Sequence, residues 1–583
     1  MTTGQPAAIA LDRSIGAAVV ADDGSVRRFA PHELTEGLAA VERDLAPRWV
    51  WWSIDTAREL VEFGLRPARC WDVAAVHRLL HGGWRADPAR VWAVSRGLDT
   101  ATIPEARPVD LFTTSDGADD DPAVRRDGHL HPEWLDTRRE AGTWRSSLDH
   151  VTRHARLALD VSQRQAGQLA ALARRPAAAT TALSESAAEL LCAELEHDGL
   201  PIDVDAAERI IAGFIGPRPA SARDEQQRLA ERDDMVLRHL PAPGTSGHGI
   251  DLRNPASVKS LLRRVGIEVQ DTRAWRLEQL RDRHPIVDDL LVWRRAERIA
   301  TTFGYRWLDE HVRAGRLHGS WSGADGAAGR MTATAGLHNM PGELRPAIVA
   351  DDGHVFIRSD LGQIEPRVLA AVSGDAALAA AATEADMYAP VAERLGVDRD
   401  VAKVAVLGAM YGQTTGTGAA ALRGLERAYP TAMGFLTSAD RSAQAGHDLR
   451  TVGGRLVRFG STGAGSVDPQ HGPESERDIR SRAAARGRFG RNAMVQGAAA
   501  ELFKTWAGTV RAELRRTDNG SIALCLHDEL LVHAPSHSAE ETARLVDDAL
   551  GAAAQRWCRR AAIEVAVTFV ADTSVIRRWS DAK

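Results

Sequence analysis

The chain of 583 residues is poor in cysteine, in lysine and in long apolar runs. Its cysteines are Cys70, Cys192, Cys525 and Cys558. They form no CxxC or Cys/His pattern, which argues against a zinc site or a disulfide framework and predicts buried side chains. No run of about eighteen apolar residues occurs, and no basic and apolar leader opens the chain. These absences argue against membrane insertion and against secretion. They therefore predict a cytoplasmic location.

A surplus of positive charge is also missing, because 73 Lys and Arg face 79 Asp and Glu for a formal net charge of -6. Any nucleic-acid surface would then be a local patch on an acidic particle. Nearly all the cations are arginines. The lysines are Lys259, Lys403, Lys504 and Lys583. A lysine in this chain is rare enough to suggest a specific role.

What the chain does have is length, and at this size several packed units are expected. Near the N-terminus the runs AAIALD and GAAVVADDG, with a turn before SVRRFA, predict antiparallel strands. Residues 104–133 are polar and acidic and predict an exposed loop, in which Asp119, Asp120 and Asp121 are solvated rather than metal ligands. A helix over 150–172 precedes a stretch rich in Pro and small residues, 173–185, which predicts a linker and a domain boundary near residue 180.

From residue 184 the periodicity is mainly helical, notably over 184–200, 254–267 and 284–312. Residues 460–480 are rich in Gly, Ser and charge and predict a flexible insert. The pattern thus predicts a large α-rich second part.

The first segment whose side chains could take part in a reaction is HVFIRSDLGQIEPRVLAAVSGD. A strand over Val355 to Ile357 is expected to end just before Asp360, and a helix to begin near Ile364. A carboxylate at a strand end can meet a triphosphate and Mg²⁺, which prefers one or two carboxylates plus substrate oxygens. Taken alone, a surface Asp capping a helix explains the segment equally well.

The second segment, SIALCLHDELLVHAPS, places His527, Asp528 and Glu529 between two apolar runs and predicts a β-hairpin with acids at its turn. Carboxylates from two segments can clamp paired metal ions about 3.5 to 4 Å apart. A polar hairpin tip without metal is the alternative.

The third segment is RDVAKVAVLGAMYGQ, in which one helical face repeats every four residues. That face carries Arg399, Lys403, Leu407 and Tyr411. Two cations one turn apart can grip a triphosphate, and an aromatic ring can position a base. An ordinary amphipathic helix remains the alternative for this segment alone.

Together and in this order the segments resemble motifs A, B and C of the family A DNA polymerases, whose patterns are DYSQIELR, RxxxKxxxFxxxYG and HDE. Here these motifs run over Asp360–Arg367, Arg399–Gly412 and His527–Glu529. GRLHGSW, GRMTATAGLHNMP, RGRFGRNAMVQGAAAELFK and ASVKSLL resemble further family motifs from about residue 184 onward. The likeness is to bacterial DNA polymerase I and its Klenow fragment, in an actinobacterial type that joins a 3′–5′ exonuclease to a polymerase.

The resemblance implies an α+β multidomain fold, with a ribonuclease H-like α/β exonuclease-like domain before a right-hand polymerase domain. The implied bounds are 1–180 for the first domain and 184–583 for the second. Within the second, the thumb would cover about 184–320, the palm about 321–385 and 485–583, and the fingers about 386–484. No residues would remain for a 5′ nuclease domain.

The resemblance also implies roles for individual residues in two-Mg²⁺ addition of deoxynucleotides to a primer, with Mn²⁺ as an expected substitute. Asp360 and Asp528 would hold the metal ions, with Glu529 assisting as a third catalytic residue. The implied nucleotide-binding residues are Arg399, Lys403, Leu407, Tyr411, Glu365, Gln363 and Tyr388, with Glu365 as the steric gate against ribonucleotides. The implied DNA-binding residues are Arg330, Asn339, Asn492, Gln496, His527 and Lys259. Primer-template DNA and deoxynucleoside triphosphates are the expected partners of a nucleoid-associated monomer active in repair or replication gap filling.

Several positions depart from the family pattern. Leu407 replaces an aromatic residue, and Tyr388 replaces a triphosphate-binding His. In motif A, Leu361, Gly362 and Pro366 replace Tyr, Ser and Leu, and the fingers between positions 412 and 429 are expected to be short. These departures predict a slower or less processive enzyme with weaker nucleotide binding.

The exonuclease chemistry needs about four carboxylates around two metals, beginning with DxE on the first strand. Here the first strand ends with Asp12-Arg13-Ser14. Asp55 and Asp72 match the second region, but Asp160 is displaced from the expected acid position, which Ala158 occupies. We therefore expect a degenerate, structural domain with weak or absent exonuclease activity.

Other functions remain open from the sequence. A repair scaffold that binds primer-template DNA without synthesis would not need both metal carboxylates. A nuclease would need the missing DxE. A template-independent transferase or an RNA-copying enzyme is a further alternative, against which Glu365 argues.

Overall fold

The structure is a computed structural model that describes residues 2–105, 123–132, 147–240, 250–325, 327–412, 418–459, 476–526 and 528–582, with the backbone alone for 418–421. The chain forms two compact units. The larger unit comprises residues 1–198, 320–333 and 353–576, and the smaller unit comprises 199–319, 334–352 and 577–583. The predicted acids Asp119, Asp120 and Asp121 lie outside the described residues.

The N-terminal part of the larger unit is built on a mixed five-stranded sheet. Its strands are β1 (Pro6–Asp12), β2 (Gly16–Ala21), β3 (Val26–Phe29), β4 (Arg48–Trp51) and β5 (Arg69–Asp72). Its helices are α1 (Leu34–Leu45), α2 (Ile54–Glu62), α3 (Val73–His81), α4 (Pro88–Arg96), α5 (Leu148–Ala170) and α6 (Ala178–Asp198). The strand order is β3-β2-β1-β4-β5, in which β1 to β3 are antiparallel and β4 and β5 run parallel to β1.

The predicted N-terminal hairpin and the helix over 150–172 are confirmed by β1, β2 and α5. The predicted linker over 173–185 is wrong in its second half, because α6 begins at Ala178. Most of α6 is buried, including Ala182, Glu185 and Ser186. Small residues such as those at 177–182 suit a closely packed helix as well as a linker, and only tertiary packing distinguishes the two.

The smaller unit is mainly helical, as expected. Its helices are α7 (Val204–Ile215), α8 (Ala222–Leu237), α9 (Pro255–Arg264), α10 (Ala274–Glu278), α11 (Ile286–Thr302) and α12 (Tyr305–His311). Its short strands are β6 (Leu200–Pro201), β7 (Val312–Arg313) and β8 (Arg316–Leu317). Its apolar core brings together residues of α8 to α11, among them Val236, Val258 and Leu290.

The second part of the larger unit surrounds an antiparallel sheet. This part also has two short antiparallel hairpins. In the first, β9 (Trp321–Ser322) pairs with β10 (Thr332–Ala333), and in the second, β12 (Leu449–Arg450) pairs with β13 (Leu456–Val457). The sheet itself has β11 (His354–Gly362), β14 (Ser521–Leu526), β15 (Glu529–Pro535) and β16 (Val570–Ile576), in the order β14-β15-β11-β16. The helices are α13 (Ile364–Ser373), α14 (Ala376–Ala381), α15 (Tyr388–Leu395), α16 (Arg399–Tyr411), α17 (Gly418–Ala428), α18 (Pro430–Gln444), α19 (Glu476–Thr517) and α20 (Ala539–Arg560).

The predicted acidic hairpin is confirmed by the antiparallel pairing of β14 with β15. The expected helix start at Ile364 is confirmed as well. Asp360, however, lies inside β11 and not after its end, because pairing with β15 and β16 continues past Ile357. Of the predicted insert at 460–480, residues 460–475 lie outside the described part, whereas Glu476 already begins α19.

The predicted burial of cysteine is confirmed for Cys70, Cys192 and Cys525, while Cys558 is half-buried. In the described parts of the chain, no helix combines the length and the apolar character needed to cross a bilayer.

Candidate active site

The central strand β11 brings the two predicted metal-binding aspartates together. Asp360 lies opposite Glu529 of β15 on one side and opposite Asp572 of β16 on the other. The backbone N–H of Leu361 donates to the carbonyl oxygen of Asp528 at 2.9 Å, so the hairpin turn carrying Asp528 is held against β11. Residues that are far apart in the chain therefore become cross-strand neighbours.

The carboxylates repel one another in a partly dehydrated site. Burial and the nearby charge of Asp528 raise the pKa of Asp360 to about 6. Burial, together with the charge of Glu529, also raises the pKa of Asp528. Like charges disfavour ionisation of each group, and a bound cation would relieve that repulsion.

An arginine that the sequence analysis missed sits among these acids. Arg358 precedes Asp360 by two residues, and alternate residues of a strand share a face. Its guanidinium Nη2 lies 2.7 Å from Asp360 Oδ2, its Nε 3.0 Å from Glu529 Oε2 and its Nη1 3.4 Å from Asp572 Oδ2. The signal was present in the sequence as Arg358 at an i,i+2 spacing from Asp360, but its other partners come from distant strands.

The donor set suits a hard divalent cation. Mg²⁺ takes oxygen ligands and commonly uses one or two carboxylates together with substrate oxygens, which Asp360 and Asp528 can provide. No group of three or more His, Cys, Asp or Glu within the described residues is arranged as a complete metal cage. Mg²⁺ sites with one or two protein carboxylates commonly take their remaining oxygen ligands from water or substrate.

The predicted steric-gate residue is firmly held. Glu365, in the first turn of α13, accepts a hydrogen bond from the Tyr411 hydroxyl at 3.0 Å and pairs with Arg330 Nη2 at 2.6 Å. Gln496 of α19 acts on the same hydroxyl and partly offsets the rise in the Tyr411 pKa. Burial and the neighbouring Glu365 raise the pKa of the Tyr411 hydroxyl, so it stays a hydrogen-bond donor. These four predicted residues thus form one network.

Helix α16 presents the predicted cationic face. Lys403 is exposed, Leu407 is half-buried and Tyr411 is 39% exposed, while Ala402, Ala405 and Val406 of the same helix are buried. The helix therefore packs through small apolar residues and leaves its cationic stripe accessible. This is the arrangement expected for a surface that binds an anionic ligand.

Arg399, the first residue of α16, has a partner that sequence reasoning missed. Its Nε lies 2.5 Å from Asp386 Oδ2, and its guanidinium stands over the Tyr388 ring at 5.8 Å. The pair with Arg399 lowers the pKa of Asp386. The hydrogen bond from Gln363 Nε2 to Asp386 Oδ1, at 2.6 Å, joins the same cluster.

The side chains of Gln363 and Tyr388 are held by contacts with other parts of the protein. Gln363 adopts a left-handed backbone at φ 57°, and its Oε1 accepts hydrogen bonds from Met387 N and Arg367 Nη2. Tyr388 is only 3% exposed. Arg367 is fully buried and donates to backbone carbonyls around both residues, including Ala382 at 2.8 Å. Both predicted nucleotide-binding side chains are therefore engaged in contacts within the protein.

The remaining predicted DNA-binding residues lie in different parts of the chain. Asn492 lies one helical turn before Gln496 on α19, and its buried Oδ1 accepts no hydrogen bond in the described structure. Lys259 of α9 and Asn339, in a 3₁₀ turn over Leu337–Asn339, belong to the smaller unit. His527 lies outside the described residues.

The candidate exonuclease acids have local structural partners. Asp12 accepts hydrogen bonds from Ser14, Asp55 pairs with Arg58 at 2.8 Å, and Asp160 pairs with Arg96 at 2.7 Å. Asp72 is fully buried, caps α3 by accepting from Ala75 N at 2.8 Å, and accepts from Trp51 Nε1 at 2.9 Å. The described parts of this region contain no metal-binding group of three or more such side chains.

The residues that form this site lie in a region of the chain that matches one protein family. Residues 257–581 match the model described as DNA polymerase family A, which is more than half of the chain. The chain belongs to DNA polymerase family A. The match covers β11, α16 and the β14–β15 hairpin, and with them Asp360, Lys403 and Asp528.

Named relatives of this family A chain include DNA polymerase I of Chloroflexus aurantiacus, 33% identical over 47% of the chain and 31% of the relative. The thermostable DNA polymerase I of Thermus aquaticus is 30% identical over 48% of the chain and 36% of the relative. The chain thus spans about a third of the length of these relatives. The fold resembles the POL domain of Pol1 from M. smegmatis in complex with DNA primer-template and dNTP, with a TM-score of 0.66, 21% identity, and coverage of 100% of this chain and 96% of that one.

Proposed function

We propose that the chain is a DNA-directed DNA polymerase that adds deoxynucleotides to a primer 3′ end, in repair or in replication gap filling. The observation that carries the proposal is the convergence of Asp360 in β11 with Asp528 in the β14–β15 turn, where the charge of Asp528 raises the cost of ionising Asp360. When bound there, a pair of divalent ions would neutralise the triphosphate and the developing charge on the attacking and leaving oxygens. The relatives' name and the family membership support the same activity.

The chain's own residues would bind and orient the substrates. Lys403, exposed on α16, is a compact positive charge suited to phosphate oxygens. Arg399 adds a second cation once its guanidinium turns from Asp386 to phosphate. Glu365, held by Tyr411 and Arg330, would occupy the space that a ribose 2′-hydroxyl needs.

DNA contacts in the proposal come from Arg330, Asn492 and Gln496 near this network, and from Asn339, Lys259 and His527 elsewhere in the chain. Primer-template DNA and deoxynucleoside triphosphates are the proposed partners, two Mg²⁺ ions the proposed cofactor, and a monomer in the cytoplasm the proposed state. The proposed domain bounds are those implied by the sequence, with the exonuclease-like domain over 1–180 and the polymerase domain over 184–583.

The N-terminal part is proposed to be a ribonuclease H-like domain without effective exonuclease chemistry. Its mixed sheet, three antiparallel strands followed by two parallel ones, supports the fold. The burial of Asp72 and the separate ion pairs of Asp55 and Asp160 support the loss of activity. The chain should therefore leave a primer intact when no nucleotide is added.

Primer extension with Mg²⁺ and four deoxynucleotides tests the proposal directly. Asp360→Ala and Asp528→Ala should each lower extension by at least about a thousandfold, because each removes a ligand that acts in the transition state. Asp55→Ala is the matched control, an exposed acid of the N-terminal part that should extend primers like the wild type. Extension that persists in either site variant would remove the basis of the proposed mechanism.

A further inference from the structure

Arg358 introduces a fixed positive charge into a site that the proposed function assigns to divalent cations. The side chain is 12% exposed and contacts acids from three strands of the sheet. Its shortest contact, 2.7 Å, is to Asp360 Oδ2, an oxygen of the proposed metal ligand itself. An oxygen that accepts from a guanidinium at this distance has less negative potential to offer a metal ion.

We propose that Arg358 is a positioning residue that competes with divalent cations for the Asp360 carboxylate and thereby lowers the metal affinity of the protein. This inference rests on the proposed function, because it takes Asp360 as a metal ligand. The guanidinium also contacts Glu529 and Asp572, which strand pairing places opposite Asp360.

The net charge of the acid cluster explains how the site can still attract a divalent cation although Arg358 is present. Asp360, Glu529 and Asp572 surround one guanidinium, which leaves the cluster with a surplus of negative charge. Asp528, in the hairpin turn that is hydrogen-bonded to β11, adds to that surplus. A divalent cation is therefore still attracted, but it must first displace Arg358 from Asp360 Oδ2 or share the carboxylate with it.

Direct metal binding tests the inference without any nucleotide or DNA. Mn²⁺ binding to the full chain can be followed by electron paramagnetic resonance, since free and bound ions give different signals. Arg358→Gln keeps a side chain of similar reach and removes its charge, and should bind Mn²⁺ about tenfold more tightly than the wild type. Arg358→Lys keeps the charge and should stay within about threefold of the wild type.

Arg58→Gln is the matched control, because Arg58 also bridges two acids, Glu196 at 2.6 Å and Asp55 at 2.8 Å, away from the site. Its Mn²⁺ affinity should be unchanged. A second readout is the rise in melting temperature on adding Mg²⁺, which should be larger for Arg358→Gln than for the wild type. A purely structural role would lower stability equally with and without Mg²⁺ and leave Mn²⁺ affinity as it was.

The outcomes separate the inference from the function on which it rests. Wild-type binding that is lost in Asp360→Ala, combined with unchanged or weaker Mn²⁺ binding in Arg358→Gln, would overturn the role of Arg358 alone. Mn²⁺ binding that Asp360→Ala and Asp528→Ala leave unaltered would overturn the proposed metal site. If Arg358→Gln does not fold, an Arg358→Lys protein that binds Mn²⁺ tenfold more tightly than the wild type would also contradict the inference.

Discussion

At the scale of single residues, the site is a set of acids whose protonation and contacts depend on what lies beside them. Glu365 is positioned by a phenol and a guanidinium, and Asp360 by the guanidinium of Arg358. Each carboxylate therefore has a defined direction before any substrate arrives. For Glu365, such preorganisation is what selection of the substrate sugar requires.

Sugar selection should depend on the hydroxyl of Tyr411. Tyr411→Phe removes one of the two anchors of Glu365, at a cost of about 1.4 kcal/mol, and should raise use of ATP relative to dATP about tenfold in kcat/KM. Glu365→Ala should raise it further. Tyr305→Phe, which loses a hydroxyl bond to Gly216 O in the smaller unit, should leave the ratio unchanged.

The buried carboxyl of Asp72 predicts a pH effect with a definite sign. Burial, with the charge of Glu189 as the next cause, raises its pKa from 3.8 to about 7. The folded state then binds the proton more tightly than the unfolded state, so the contribution to stability is full below about pH 4 and is lost as pH rises through about 7.

Asp72→Asn should accordingly stabilise the protein at pH 8, by at most about 4 kcal/mol, and should give no advantage at pH 4. Urea unfolding at the two pH values measures the difference. Asp55→Asn, at an exposed position, should change neither value appreciably. Equal stabilisation by Asp72→Asn at both pH values would be inconsistent with a raised pKa.

At the scale of elements, helix α6 ties the two parts of the larger unit together through buried acids. Glu189 pairs with Arg78 of α3, and Glu194 pairs with Arg511 of α19 at 2.6 Å. Glu185 meets Lys504 of α19 at 2.7 Å and also pairs with Arg455. Buried charges of this kind are costly to leave without a partner.

Lys504→Met should therefore destabilise the protein by about 3 kcal/mol, because it removes one cation from a buried cluster. Urea-induced unfolding followed by circular dichroism would measure this change. Arg516→Met is the matched control on the same helix, where an exposed pair with Glu513 should contribute less than about 1 kcal/mol. Equal losses for both variants would show that burial of the Lys504 pair has no special importance.

At the scale of the whole molecule, the N-terminal part is packed into the larger unit and is not joined to it by a linker alone. Arg511 Nη2 donates to Pro67 O at 2.9 Å, and Arg450 Nη2 donates to Leu80 O at 2.8 Å. Asp72 N donates to Ser186 Oγ of α6 at 2.9 Å. These contacts make the N-terminal part a structural component of the larger unit.

Deletion of residues 2–170 should therefore lower the melting temperature of the remaining larger unit by more than about 5 °C. Removing the N-terminal sheet would expose the side of α6 that now packs against it. Differential scanning calorimetry of the full chain and the deletion variant provides the comparison. An unchanged transition temperature would indicate an N-terminal part that folds independently of the rest.

Local patterns in the sequence determined the strands and helices that carry the motifs, including the β14–β15 hairpin, α16 with its repeat of four, and the start of α13. These follow from periodicity and turn chemistry, which act between near neighbours in the chain. The family motifs then identified Asp360 and Asp528 as a pair.

Only the tertiary structure decided which distant side chains meet. Sheet pairing put Arg358 against Glu529 and Asp572, and loop packing put Asp386 on Arg399. Asp72, a candidate exonuclease acid in the sequence, is buried in the structure and caps a helix. The Arg358 contacts depend on strand register between segments more than 150 residues apart, and the others depend on loop packing and burial, to all of which local periodicity is insensitive.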